Sequence, residues 1–102
     1  MPDLTAIQDE AWRNKVAKGF NTTDVALEFG LLTAEVSEAF MAWHRGEEVG
    51  DELADIVIYA AGLATMLGIR LDEEVADKLR VNAARQYRRL PNGTYVKVPG
   101  EE

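Results

Sequence analysis

Apolar residues recur at three- and four-residue spacing through four stretches of this chain, a periodicity that predicts helices. The first helix is expected from about Thr5 to Lys18: Ile7, Ala11 and Trp12 are spaced for one face, Thr5 and Gln8 have capping-box spacing, and Gly19 is a stop. Asn21-Thr22-Thr23-Asp24 offers several N-caps to a second helix, running from about Asp24 to Arg45. Gly46 and Gly50 bracket a short acidic loop, and a third helix is expected from Asp51 to Leu67, ending at Gly68. The fourth is predicted to start at a capping Asp72 and to reach about Arg88, with Glu73 and Glu74 in its first turn and Arg85, Arg88 and Arg89 near its last, as the helix dipole favours. Pro91 ends the helical pattern, Asn92-Gly93 signals a turn, and Thr94 to Val98 reads as a short extended segment or hairpin arm before a loose end from Pro99 to Glu102. The expected class is therefore all-α, a bundle of about four helices with a short extended tail. Residues 1–90 are expected to form the domain and residues 91–102 the tail.

Helical wheels add the chemistry. With Glu35 at zero and 100° per residue, Val25, Phe29, Leu32, Val36, Phe40 and Trp43 fall between about 60° and 140°. They form one broad apolar face. Thr33, Ser37 and His44 mark the expected wet side, whereas Glu28 and Glu38 flank Glu35 with Leu31 and Ala42 among them. The third helix repeats the arrangement, with Glu52 and Asp55 continuing into Tyr59, Leu63 and Met66. Its other faces are apolar, so it is expected to be central or buried against a partner. A buried carboxylate without a partner is costly or is neutralised by a raised pKa, and a hard divalent cation removes that cost. Two acid pairs at i, i+3 on consecutive antiparallel helices form a candidate four-carboxylate cluster of Glu35, Glu38, Glu52 and Asp55. Oxygen donors without His or Cys favour Mg²⁺ or Mn²⁺. A ferritin-like di-iron site needs two Glu-x-x-His pairs, and the single histidine, His44, has Met41 three residues before it.

Composition changes the picture in two respects. The chain has 102 residues, no cysteine and a net charge of −7, so disulfide scaffolds and Cys-ligated metals are excluded and bulk capture of nucleic acid is disfavoured. The longest uncharged apolar stretch, from Ile56 to Ile69, is too short to span a bilayer, and no leader opens the chain, which gives the expectation of a cytoplasmic protein without a membrane partner. The charge is also unevenly spread. Residues 28–77 carry 12 acids and 2 bases, and residues 78–97 carry 6 bases and no acid. Lys78, Asn82 and Arg85 are spaced 4 and 3, so they share one helix face.

Glu35-Val36-Ser37-Glu38 followed by Glu52-Leu53-Ala54-Asp55 resembles the ExxE…ExxD signature of the MazG-like all-α nucleoside triphosphate pyrophosphatases. Lys78, Asn82 and Arg85 resemble that family's downstream Lys…Asn…Arg pattern, and the likeness covers roughly residues 4–88. Ala34 departs from it, standing where many members carry a further Glu. The resemblance implies Mg²⁺-dependent hydrolysis of a (d)NTP to the monophosphate and pyrophosphate, serving nucleotide pool cleansing, with Mn²⁺ a substitute. Glu35, Glu38, Glu52 and Asp55 would hold the metal and activate water, and Lys78, Asn82 and Arg85 would meet the phosphates. Tyr59 is a candidate for sugar or base contact, Trp12 for base stacking and Lys15 for phosphate contact. A homodimer, or a tetramer built from two dimers, with a pocket drawing on both subunits is implied as well. The runner-up enzyme is phosphoribosyl-ATP pyrophosphohydrolase, ranked second because Ala60 follows Tyr59 where that family shows a Tyr-His pair. A non-catalytic acidic helical dimer that senses nucleotide or binds a protein is the alternative from another class.

Overall fold

The computed structural model describes residues 3–98. Its elements are α1 (Leu4–Lys18), α2 (Val25–His44), α3 (Gly50–Met66), α4 (Leu71–Ala84), β1 (Tyr87–Arg89) and β2 (Tyr95–Lys97). Two compact units divide the chain, Met1–Leu71 and Asp72–Glu102. The loose end expected from Pro99 to Glu102 lies outside the described residues.

In the first unit α3 packs against both α1 and α2. Of the four N-cap candidates it is Asp24 that caps α2, its side chain accepting from the Leu27 amide. Gly68, at φ 70°, supplies the left-handed turn that lets Ile69 N–H reach back to the Ala64 carbonyl and close α3. The start of α1 corrects the expectation. Asp3 is its N-cap, accepting from the Ala6 amide, and Gln8 takes no part in a capping box with Thr5. Gln8 is instead buried and joins α1 to the end of α3. Its Nε2 donates to Thr65 Oγ1 at 3.1 Å and to the Ile69 carbonyl at 2.9 Å, and its Oε1 accepts from the Leu71 amide at 3.2 Å. A tertiary demand on three polar groups outweighs one local cap. Gln8→Leu would leave these groups unpaired and is expected to destabilise the protein by about 1–3 kcal/mol, read as a lowered Tm.

The face of α2 that packs inward is a second correction. Its buried residues are Glu28, Ala39 and Ala42, which share the arc of Glu35, whereas Phe29, Val36, Phe40 and Trp43 on the broad apolar arc are 50–65% exposed in the single chain. The buried apolar side chains are small, Ala39, Ala42, Ala61 and Ala64 with Leu63 the largest. Alanines let α2 and α3 approach closely, and that approach brings the acid-bearing stripes together.

In the second unit α4 ends at Ala84, short of the predicted Arg88, and Asp72 lies within the helix instead of capping it. Tyr87, Arg88 and Arg89 pair with Lys97, Val96 and Tyr95 in an antiparallel hairpin. Gly93, at φ 90°, and the Asn92 side chain, which accepts from the Thr94 amide, form its turn. The ladder satisfies the backbone of residues 87–89, so the helix has no need to extend through them. Arg88 and Arg89 are therefore strand residues and do not complement a helix dipole.

Candidate active site

The connection from Arg45 to Val49 turns the chain back, and α3 runs along α2 with their polar stripes facing. On α2 the stripe carries Glu28, Leu31, Glu35 and Glu38, and on α3 it carries Glu52, Asp55, Tyr59 and Gly62. Glu35 is held above the ordinary carboxylate range, chiefly by lost hydration at its half-buried position and then by the neighbouring charges of Glu38, Asp55 and Glu52. Glu38 and Glu52 line one shallow cavity with Ser37, Ala42 and Arg45. The four acids read from the sequence are thus gathered on two facing helices.

They crowd one another without forming a ready coordination sphere. Among the described residues, no three His, Asp or Glu side chains are gathered tightly enough to hold a metal ion. Mutual repulsion opposes closer approach. The donor set fits a hard divalent cation nonetheless, being all oxygen and supplied in i, i+3 pairs on both helices.

Beside the acids lies a cavity of about 400 Å³, walled by Asn14 and Lys15 of α1, Phe20 and Asn21 of the α1–α2 loop, Glu28 of α2, and Asp55 and Tyr59 of α3. Asp55 belongs both to this cavity and to the acid cluster, so the two are continuous. The Tyr59 phenol is pushed above its ordinary pKa, first by burial and then by Glu35, Glu28, Asp55 and Glu38. It stays protonated at neutral pH and offers an O–H donor between cavity and acids.

Lys15 does not project into solvent. Its ammonium lies 2.8 Å from Glu28 Oε2, with the side chains only 9% and 1% exposed, and 6.0 Å from the centre of the Tyr59 ring. Asn21 locks the other end of this arrangement. Its Nδ2 donates to Glu28 Oε1 at 3.2 Å and to the Asp24 carbonyl, while its Oδ1 accepts from the Thr23 and Asp24 amides. Glu28 is the residue that sequence reasoning placed on the right arc but assigned no role. Its partner stands 13 positions earlier on another helix, beyond the reach of any periodicity.

Trp12 is half-buried and is not among the residues walling the cavity. In the second unit Lys78 and Asn82 are exposed on α4, and Arg85 follows its last residue in helical continuity, its amide donating to the Val81 carbonyl. Arg85 Nη1 donates to Asn82 Oδ1 at 3.4 Å, so these residues do share one face.

Comparison with known proteins identifies the family. A family model described as the MazG-like family matches residues 26–90, from the second residue of α2 to the end of β1 and the residue after it. The chain belongs to the MazG-like family. Over 51 residues it is 41% identical to a dATP/dGTP diphosphohydrolase of cyanophage S-2L. That match covers 50% of this chain and 49% of the relative, so the chain spans about half the relative's length. Among solved structures, it is similar to a cyanophage S-2L MazG-like pyrophosphohydrolase bound to dGDP and three catalytic Mn²⁺ ions per active site. The TM-score is 0.71 at 25% identity, over 100% of this chain and 98% of the other. The MazG-like match spans both carboxylate pairs and the Lys78–Arg85 segment.

Proposed function

We propose that this chain is a divalent-metal-dependent pyrophosphohydrolase that converts a (d)NTP and water to the (d)NMP and pyrophosphate. The observation that carries the reading is the placement of Glu35, Glu38, Glu52 and Asp55 as two i, i+3 pairs on the packed helices α2 and α3. The relatives bound to Mn²⁺ and dGDP, or named for dATP and dGTP, support a metal and a purine deoxynucleotide. Mg²⁺ is the assigned ion, with Mn²⁺ able to replace it.

Glu35, Glu38, Glu52 and Asp55 would hold a divalent ion, which when bound would neutralise triphosphate charge and lower the pKa of a water. The protein's own residues do the rest. One of these carboxylates takes the proton of the water that attacks the α-phosphorus. The α–β anhydride bond breaks and pyrophosphate leaves. Lys78, Asn82 and Arg85 share one face of the second unit, where Asn82 Oδ1 accepts from the Arg85 guanidinium, and we assign them as a phosphate-binding group. The cavity next to Asp55 receives the nucleoside, with Tyr59 where sugar and phosphates join. Pool cleansing is the assigned role.

The exposed Phe29, Val36, Phe40 and Trp43 of α2 form the self-association surface of a homodimer, on its own or as half of a tetramer.

Product analysis on a panel of (d)NTPs with Mg²⁺ or Mn²⁺ tests the activity. Pyrophosphate is the expected product, and orthophosphate release would contradict the assigned bond cleavage. Either ion at millimolar concentration is expected to raise the Tm by several degrees and EDTA to reverse the rise, because a ligand bound only by the folded state stabilises it. An unchanged Tm together with metal-independent turnover would remove the ions from the mechanism.

A further inference from the structure

The buried Lys15–Glu28 pair is not used by the hydrolysis described above. Glu28 stands at the inner end of the α2 stripe that carries Glu35, two helical turns away, and Glu38. Among the described residues, it is the one acid of this row with an ion-pair partner. The Lys15 stem crosses α3 at Gly62, where an added Cβ would lie 3.5 Å from Lys15 Cε. Gly62 follows Asp55 and Tyr59 at i+7 and i+3, so the ammonium is delivered to the same stripe that presents Asp55.

Stability does not account for the pair. Withdrawing two charges from water costs as much as their attraction returns, and a packed apolar pair would hold α1 to α2 at least as well. What the pair accomplishes is a division of the acidic row. One end already has a cation supplied by the protein, and the other has none. Tyr59, in contact with the fields of both ends, marks the boundary.

We propose that Lys15 is a positioning residue whose fixed ammonium neutralises Glu28 and so confines divalent cations to the Glu35, Glu38, Glu52 and Asp55 end of the row. The inference rests on the metal-binding reading above and deepens it. Without Lys15, Glu28 would stand as an unpaired negative charge on the same row and draw divalent cations toward the cavity that receives the nucleoside. Without Glu28, the stranded ammonium would repel metal from Asp55.

Calorimetric Mn²⁺ titration of the full chain distinguishes charge placement from packing, with circular dichroism confirming that each variant is folded. Lys15→Met is expected to bind Mn²⁺ about tenfold more tightly, and Glu28→Gln about tenfold more weakly, because each changes the row by one charge of opposite sign. The double variant is expected to return to within about threefold of the wild type, as additive charge changes cancel. Weakening by both single variants, or by neither, would overturn the proposal and leave the pair a packing device. A raised KM for nucleotide in Lys15→Met with unaltered Mn²⁺ affinity would also overturn it, placing the ammonium on phosphate instead. Should Lys15→Met alone fail to fold, weaker binding by Glu28→Gln that recovers in the double variant supports the proposal, and absence of recovery defeats it. A wild-type protein that takes up no Mn²⁺ would defeat the metal reading itself, whereas Mn²⁺ uptake with shifts of the same sign defeats only the role of Lys15.

Discussion

Asp55→Asn, and separately Glu38→Gln, is expected to lower pyrophosphate release by at least roughly 100-fold while leaving the helical circular dichroism unchanged. Each substitution keeps the size and shape of the side chain and removes one negative charge. Neither residue is fully buried, so no cavity opens and no packed contact is lost. Both charges are among those that hold Glu35 above its ordinary pKa. Removing either one relieves repulsion in the metal-free protein, and its Tm is expected to stay level or rise. The same removal costs a metal ligand and with it the metal-induced Tm increase. Loss of turnover alongside equal or greater metal-free stability is the signature of a site kept for function at some expense to the fold. Undiminished turnover in either purified variant would remove the proposed ligand set.

The carboxylate cluster was legible because its information is local. An i, i+3 pair on a helix fixes which acids share a stripe, and two such pairs on consecutive helices can face each other across a short turn. The Asp24 cap and the Gly68 stop were legible for the same reason. What sequence did not disclose was which arc of α2 turns inward. A wheel divides residues into faces, and the size of Phe29, Phe40 and Trp43 argued for their burial. The single chain instead buries Ala39 and Ala42, because small side chains permit the close helix approach that the acids require. Gln8 illustrates a second limit. Its spacing from Thr5 fits a cap, yet three polar groups at the end of α3 claim it. The Lys15–Glu28 pair was out of reach, since nothing in helical periodicity relates a lysine on α1 to a glutamate on α2. At the end of α4, Pro91 was read as the terminator, while the pairing of Tyr87–Arg89 with Tyr95–Lys97 had already ended the helix.

Phe40→Glu is expected to convert the proposed homodimer to monomer at micromolar concentration, measured by sedimentation. The exposed α2 arc carries three aromatic rings and Val36 on a helix whose inward face is mostly alanine. Burying the exposed half of one such ring contributes about 1–2 kcal/mol. In a two-fold symmetric dimer each contact is made twice, so Phe40 accounts for about 2–4 kcal/mol, or roughly a 30- to 1000-fold change in Kd. A glutamate placed there puts one charge from each subunit into the proposed interface, a desolvation cost beyond the lost area. The Tm is expected to fall as well, because the largest buried apolar side chain of the single chain is Leu63 and the proposed dimer would add apolar burial to so small a core. Ser37→Ala serves as the control: it is exposed on the same helix, outside the apolar arc, and should leave the dimer intact. A wild-type chain that sediments as a monomer would refute the interface, and so would a Phe40→Glu variant that remains dimeric. In the second case the pairing surface must lie elsewhere, and the aromatic arc of α2 would need another covering.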